Sequence, residues 1–310
     1  MTSPRPRTPR LETTPWPRAL AYLLGAASLP VLGLMAVAAV RWLMSFGAVA
    51  DLVAAYPGTS TLPEVTAPGI PAWVSWTHFL NAFFLVLIIR SGLRVRNEKV
   101  AGGLWSSRKV KKRRMSLALW GHIAVDVLWL VNGVVFVVLL FATGHWARIV
   151  PTSWDVFPHA LSAFLQYASL DWPVHDGWTH YNALQQLSYF AIVFLAAPVA
   201  ALTGFRLSAF WPRQNERLSR VFPEKLAKSL HWPTMLFFVA FVIVHVGLVL
   251  TTGLRRNLNT MYAGNDGDGW LGAVVFLGSL VILAAGWLAI RHDRWIAAVA
   301  RRFGDVRLRK

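Results

Sequence analysis

Residues 230–252, LHWPTMLFFVAFVIVHVGLVLTT, decide the fold of this chain. The stretch contains no Lys, Arg, Asp or Glu, and a helix needs about 20 apolar residues to cross the hydrocarbon core of a bilayer. We therefore predict a transmembrane helix here. The stretch also carries two histidines, His231 and His245. Because ionisable side chains are costly inside a membrane, those that occur there usually serve a function.

Five further stretches have a similar length and apolar character. Together they predict six membrane spans, at 19–46, 72–92, 116–141, 181–205, 230–252 and 269–291. Hydrophobic residues make up 55% of the 310 residues and charged residues 15%, against about 25% charged in a soluble domain. We therefore predict an all-α integral membrane protein and exclude a soluble enzyme, a disordered chain and a secreted disulfide scaffold. The lack of cysteine excludes iron–sulfur clusters and thiolate-bound or covalently attached haem.

The basic residues lie almost entirely on one predicted side of the membrane. Of the 31 Lys and Arg residues, 27 fall in the segments 1–18, 90–114, 206–228 and 291–310. Because basic residues accumulate in cytoplasmic loops, both termini are predicted to be cytoplasmic. The net charge of +17 therefore indicates topology and contact with anionic lipid, and not nucleic-acid binding. On the outer side, the tryptophan-containing stretch 154–170 is predicted to hold a short interfacial helix.

Four histidines fall at two predicted depths. His231 and His245 are 14 residues apart, which places them roughly 21 Å apart along one helix and within about 40° of the same face. His78 lies near the outer end of its span and His122 near the inner end of its span, so we predict an outer pair (His78 and His245) and an inner pair (His122 and His231). Paired imidazoles from different helices suit the iron of a b-type haem, whereas a zinc site gathers three or four ligands. A polar contact between helices is the alternative role for any one of these histidines.

Short motifs accompany these histidines. They are WTHFLNA at 76–82, GH at 121–122, YNALQQ at 181–186, LTG at 202–204, LH at 230–231, VH at 244–245 and TG at 252–253. In these motifs the chain resembles the membrane cytochrome b subunits of bacterial formate dehydrogenase, NiFe-hydrogenase and thiosulfate reductase. The resemblance implies a bundle of the second to fifth spans around two b-type haems. It also implies electron transfer between membrane quinone and a catalytic oxidoreductase subunit, plausibly a molybdenum enzyme, so that the chain is an electron-transfer subunit and not a stand-alone enzyme.

The resemblance also implies a quinone pocket. It lies at the start of the fourth span, where Asn182 and Gln185 are expected to face the quinone beside the outer haem, since amides can donate to a quinone carbonyl. The same two residues have the spacing of a helix capping box, which is the alternative role. The four arginines expected as partners of the haem carboxylates, or as interface anchors, are Arg90, Arg148, Arg206 and Arg255.

The predicted division of the chain follows from the resemblance. A basic segment (1–18) precedes an extra span with its outer loop (19–71), the di-haem core (72–260), and a further span with a basic tail (261–310). The extra leading span inverts the core, so the loop 91–115, which faces the partner in the formate dehydrogenase subunit, is predicted to be cytoplasmic here. The expected location is the bacterial plasma membrane.

Asp126 supports an alternative function. A carboxyl group inside a span is costly and is usually paired or functional. It is expected to accept a hydrogen bond from the free ring nitrogen of a haem ligand, to carry protons, or to contact Asn132 or a neighbouring helix. With the histidines, it would suit a haem-free secondary transporter or proton channel, although the chain lacks the repeated broken helices of such transporters. A scaffold that only anchors a partner is the third alternative.

Overall fold

The computed structural model describes residues 16–59, 68–110, 113–172 and 178–309. In these ranges six helices are long and apolar enough to cross a membrane: Ala19–Met44, Ala72–Asn97, Leu117–Ala142, Ala183–Leu207, Glu224–Thr251 and Leu271–Ala289. The prediction of six spans in a helical membrane protein is therefore confirmed. The largest difference between predicted and observed bounds is at the fifth span. The helix begins at Glu224 and not at Leu230, because its first turns are polar and lie outside the apolar stretch. Most of the predicted basic segment 1–18 lies outside the described residues.

The elements follow one another along the chain. The helices are α1 (Trp16–Met44), α2 (Gly47–Ala55), α3 (Ala72–Asn97), α4 (Leu117–Ala142), α5 (Val156–Ala168), α6 (Ala183–Phe190), α7 (Ala197–Leu207), α8 (Glu216–Val221), α9 (Glu224–Thr251), α10 (Leu254–Leu258), α11 (Leu271–Ala289) and α12 (Asp293–Ala300). The strands are β1 (Gly103–Ser106), β2 (Arg114–Ser116) and β3 (Asp305–Leu308). A π-helical segment, Ala191–Ala196, joins α6 to α7, so these three form the fourth span.

Two helical hairpins form the centre of the molecule. Helix α3 packs along α4, and α7 packs along α9, and these are the two most extensive contacts between helices in the described residues. In the first hairpin, the Asn132 amide donates to the carbonyl of Thr77 at 3.0 Å, and Trp129 Nε1 donates to Asn81 Oδ1 at 2.7 Å. Such polar contacts hold helices together in lipid, where helix association gains little from the hydrophobic effect. The hairpins meet through large rings, for example Trp129 against Phe238 at 6.1 Å between centroids.

A small sheet closes one end of the first hairpin, which is called the inner end because its charge predicts the cytoplasmic side. Its strand order is β2-β1-β3, and β1 is antiparallel to both neighbours. This sheet and α12, together called the inner cap, enclose a buried cluster of Trp105, Met115, Leu117, Ala297 and Ala300. These parts were predicted as a basic loop and a basic tail, and the structure adds short paired strands to both. The strands have only three or four residues each, which is too short for a clear alternating pattern, so the sequence predicts no strand here.

The outer side carries the helix predicted within 154–170. Helix α5 (Val156–Ala168) buries Val156 and Ala160 against Ala183 at the start of α6. Near the outer end of α1, Arg41 Nε donates to the carbonyl of Ser169 at 2.8 Å. This bond links the first span to the outer elements. Most of the other described side chains of α1 are exposed, as expected for a helix that faces lipid.

Candidate haem-binding site

The two predicted histidine pairs lie at opposite ends of the hairpins. His78 is in the second turn of α3, and His245 is in the next-to-last turn of α9. His122 is in the second turn of α4, and His231 is in the third turn of α9. Because α9 is continuous, its two histidines are separated by roughly 21 Å along the axis. One helix therefore contributes a histidine to each level.

The outer pair is brought together directly. The ring centroids of His78 and His245 are 6.2 Å apart, and the ring planes are tilted by 59°. A bond from a metal to an imidazole nitrogen is about 2 Å long, so two imidazoles on opposite sides of one ion have ring centres on the order of 6 Å apart. Nδ1 of His78 is buried and has no hydrogen-bond partner among the described residues. The spacing fits the iron of a haem.

Aromatic rings surround the outer pair. Phe241, one turn before His245, stacks on its imidazole at 5.5 Å with an interplanar angle of 8°. Tyr189 of α6 meets His245 edge-on at 6.2 Å, and Tyr262 meets His78 edge-on at 6.4 Å. These rings restrict the rotation of both imidazoles and exclude water from them. Sequence analysis did not predict them, because they come from three separate elements.

The inner pair is held by hydroxyl groups. The two rings lie at the same end of the hairpins, and the described ring contacts include none between His122 and His231. Nδ1 of His122 is 2.9 Å from Ser91 Oγ on α3, and Nδ1 of His231 is 2.9 Å from Thr203 Oγ1 on α7. Both hydroxyl-bearing residues are buried. Each inner histidine is therefore fixed by the other helix of its own hairpin.

A glycine follows each of these hydroxyl residues and gives the imidazole room. A Cβ atom on Gly92 would lie 3.2 Å from Cε1 of His122, which is a tight contact. A Cβ atom on Gly204 would lie 3.5 Å from Cε1 of His231, which is ordinary van der Waals contact. The signal for this arrangement is visible in the sequence, as Ser-Gly at 91–92 and Thr-Gly at 203–204. Only the second dipeptide belongs to the motifs in which the chain resembles the cytochrome b subunits.

Asp126 lies beside the inner pair, and its predicted roles in supporting a haem ligand or in proton transfer stay predictions. Its Oδ2 atom is 3.6 Å from Nε2 of His122, because it follows that histidine by one helical turn. Nδ1, the nitrogen expected to donate to a carboxylate, contacts Ser91 instead. The amide of Asn132 donates to Thr77, and not to Asp126. Ser91, and not Asp126, therefore contacts Nδ1 of His122. The expected contact between Asp126 and Asn132 is absent among the described hydrogen bonds.

Asn182 and Gln185 form the capping box. Asn182 Oδ1 accepts from the backbone of Gln185 at 2.9 Å, and Gln185 Oε1 accepts from the backbone of Asn182 at 3.1 Å. The Asn182 amide also donates to the hydroxyl of Tyr167 at 2.8 Å. The next residue, Gln186, is buried and donates to the carbonyl of Ala147 at 3.3 Å. The capping role is therefore present, and contact of Asn182 and Gln185 with quinone stays a prediction.

The four arginines expected near haem carboxylates make other contacts. Arg206 donates to the carbonyl of Phe222 at 2.7 Å, and Arg148 donates to the carbonyl of Trp178 at 2.9 Å. The guanidinium groups of Arg90 and Arg255 lie over tryptophan rings, at 4.5 Å and 5.5 Å. These contacts suit arginines that anchor loops at the membrane interface. Their role toward haem stays a prediction.

The pairwise arrangement disfavours a structural metal ion. Among the described residues, no group of three or more His, Cys, Asp or Glu side chains is placed to hold a metal. The tetrahedral zinc sites of proteins need such a group. The described histidines near the ends of the hairpins would instead suit haem, whose iron is bound by a pair of histidines.

Comparisons with known proteins agree with this geometry. The family described as "Prokaryotic cytochrome b561" matches residues 69–264. A protein of Azospira oryzae that carries the name protein-methionine-sulfoxide reductase subunit YedZ1 is 30% identical over 200 residues, which are 63% of this chain and 96% of that protein. No solved structure matches the chain. The resemblance to bacterial membrane cytochrome b subunits is confirmed, and the chain belongs to the prokaryotic cytochrome b561 family of multi-pass membrane haem proteins.

Proposed function

We propose that this chain is the membrane subunit of an oxidoreductase and that it carries electrons through two b-type haems between membrane quinone and a catalytic subunit. The observation that carries the proposal is the outer pair, with two imidazoles from different helices facing each other at 6.2 Å. The inner pair supports a second haem, because its two Nδ1 atoms are engaged by hydroxyl groups. Haem, when bound, supplies one-electron chemistry that the side chains of this protein lack.

The residues of the chain have three tasks in this proposal. The histidines provide ligand nitrogens at two depths, and α9 sets the distance between these depths. Phe241, Tyr189 and Tyr262 bury the outer site and hold its rings in place. The inner cap packs against the start of α4 and restricts access of water to the inner site.

The orientation in the membrane follows from charge. The inner cap carries Arg108, which pairs with Asp305 at 2.9 Å, and Arg94 of α3 pairs with Asp293 of α12. Most basic side chains of the cap are exposed. Basic residues beside a span favour the cytoplasmic side, so we place both termini in the cytoplasm and the protein in the bacterial plasma membrane.

The proposed partner is a catalytic oxidoreductase subunit, molybdenum-dependent by analogy. The name of the Azospira oryzae relative describes a reductase subunit for methionine sulfoxide in proteins. That similarity favours a sulfoxide-reducing partner over a formate dehydrogenase or a hydrogenase. Quinone exchange is proposed at the outer level, near Asn182 and Gln185. The reason is that residues 181–186 resemble the segment that lines the quinone pocket in the membrane cytochrome b subunits.

The haem content tests this function directly. Full-length protein purified in mild detergent is expected to give the reduced-minus-oxidised spectrum of a b-type haem and two haems per chain by the pyridine haemochrome assay. A double variant, His78→Ala with His122→Ala, is the control and should contain none. Wild-type protein without haem would exclude the proposal in favour of a transporter or a scaffold, and a single haem would exclude one of the two sites.

A further inference from the structure

The same hydroxyl-to-imidazole contact occurs twice, once in each hairpin. Ser91 of α3 contacts His122 of α4, and Thr203 of α7 contacts His231 of α9, both at 2.9 Å. In both cases the hydroxyl also contacts the backbone carbonyl one turn earlier on its own helix. Ser91 Oγ is 2.8 Å from the carbonyl of Leu87, and Thr203 Oγ1 is 2.6 Å from the carbonyl of Val199.

The available protons determine the direction of these bonds. A hydroxyl group has one proton, and a carbonyl oxygen can only accept. When both contacts are hydrogen bonds, the hydroxyl donates to the carbonyl and accepts from a protonated Nδ1. Nε2 then carries the lone pair, which is the form that binds iron.

We propose that Ser91 and Thr203 are positioning residues that fix the Nδ1–H tautomer and the ring orientation of the inner pair, and thereby lower the reduction potential of the inner haem. The inference rests on the proposed function and extends it to residues that do not touch the iron. A hydrogen bond accepted from Nδ1–H makes the imidazole a more basic ligand. A more basic ligand stabilises ferric over ferrous iron, because the ferric ion has the higher charge.

The outer pair provides an internal comparison. Nδ1 of His78 is buried without a hydrogen-bond partner in the described part of the chain. The outer ligands are held by rings, whereas the inner ligands are held by hydroxyl groups. A change at Ser91 or Thr203 should therefore act on one haem and leave the other unchanged, which separates a ligand effect from a general loss of structure.

Two variants remove the hydroxyl groups at nearly constant volume. They are Ser91→Ala and Thr203→Val. In a redox titration of the full-length di-haem protein, we expect each to raise the midpoint potential of the inner haem, to shift its low-spin EPR signal, and to leave the outer haem unchanged. The loss of such supporting groups typically weakens metal binding on the order of 10–100-fold, so the inner haem should also dissociate more readily. Ser91→Thr and Thr203→Ser keep the hydroxyl and should restore the wild-type potential.

Thr234→Val is the matched control. Thr234 Oγ1 donates to the carbonyl of Leu230 at 2.8 Å, the same bond that Ser91 and Thr203 make, but its described hydrogen bonds include none to a histidine. Its inner-haem potential should equal that of wild type. If Ser91→Ala and Thr203→Val retain both haems with unchanged potentials, or shift both haems equally, the inference is wrong while the di-haem function stands. Wild-type protein without haem would instead overturn the function itself.

Discussion

Ser91 and His122 lie on neighbouring helices, and the Oγ and Nδ1 atoms that join them are 2.9 Å apart. The contact explains how a histidine inside a membrane keeps a fixed orientation, because a buried hydrogen bond restricts the rotation of the ring. It also shows that the hairpin α3–α4 supplies both a ligand and the group that holds it. Predictions about this site can therefore separate ligand residues from supporting residues.

The first prediction concerns the ligands. His78→Ala or His245→Ala should remove the outer haem, and His122→Ala or His231→Ala should remove the inner haem, because each iron needs both imidazoles. Haem per chain, measured by pyridine haemochrome, should fall from two towards one in each variant. His159→Ala is the control, since this buried histidine accepts from the backbone of Gly58 and lies outside both pairs. A ligand variant that keeps both haems with unchanged spectra would refute the pairing.

The second prediction concerns the glycines beside the inner pair. Gly92→Ala should lower inner-haem occupancy, because its Cβ atom would lie 3.2 Å from Cε1 of His122. Gly204→Ala should have a smaller effect, since the corresponding distance to His231 is 3.5 Å. Alanine favours a helix over glycine by about 1 kcal/mol, so lower thermal stability is not the expected cause of haem loss. Equal occupancy in both variants would contradict this prediction.

The third prediction concerns topology. Reporter fusions after Arg114, Lys228 and Lys310 should report the cytoplasm, and fusions near Gly58, Trp172 and Asp266 should report the outside. The reason is the concentration of Lys and Arg on one side. The measurement is the ratio of alkaline phosphatase to green fluorescent protein activity at each site. An external signal after Arg114 would reverse the sides assigned to the outer and inner pairs.

The fourth prediction concerns quinone. The double variant Asn182→Ala with Gln185→Ala should slow the reoxidation of haem by quinone in stopped-flow experiments while haem content is retained. Removing the cap alone should reduce stability by about 0.5–2 kcal/mol. Asn215→Ala is the control, because Asn215 caps α8 by accepting from the backbone of Leu218 at 3.0 Å. Normal quinone kinetics in a destabilised double variant would leave Asn182 and Gln185 with the capping role only.

The fifth prediction concerns the inner cap. Trp105 is 4% exposed, and its Nε1 atom donates to the carbonyl of Ala300 at 3.3 Å. Trp105→Ala should destabilise the cap by about 3–5 kcal/mol, the usual cost of truncating a buried tryptophan. Limited proteolysis should then cleave the segment from α12 to β3 more rapidly than in wild type. Trp295→Ala, at a tryptophan that is 54% exposed, should behave like wild type.

The spans and the histidine levels could be predicted because both depend on local sequence. Apolar length determines a span, and the 14-residue separation of His231 from His245 determines two depths on one helix. The supporting residues could not be predicted in the same way. Tyr189 and Tyr262 become part of the site only through ring contacts between separate elements, which no local pattern contains.

The inner cap escaped prediction for a related reason. Trp105 pairs across the sheet with Val306, about 200 residues later in the chain. Strands this short receive little support from their own sequence, and their register depends on the burial of Trp105 against α12. The charge pattern of the same segments predicts which side of the membrane they occupy, but it contains no information about strand pairing.

Helix α9 carries one histidine of each pair, and this has a consequence for the behaviour of the protein in different bilayers. A span can respond to a thinner or thicker membrane by tilting. If no helix carried a ligand of both haems, such tilting would alter the gap between the cofactors and with it the rate of electron tunnelling. Because His231 and His245 share a continuous helix, their separation is set by covalent geometry. We therefore expect the rate between the haems to stay constant across lipids of different chain length.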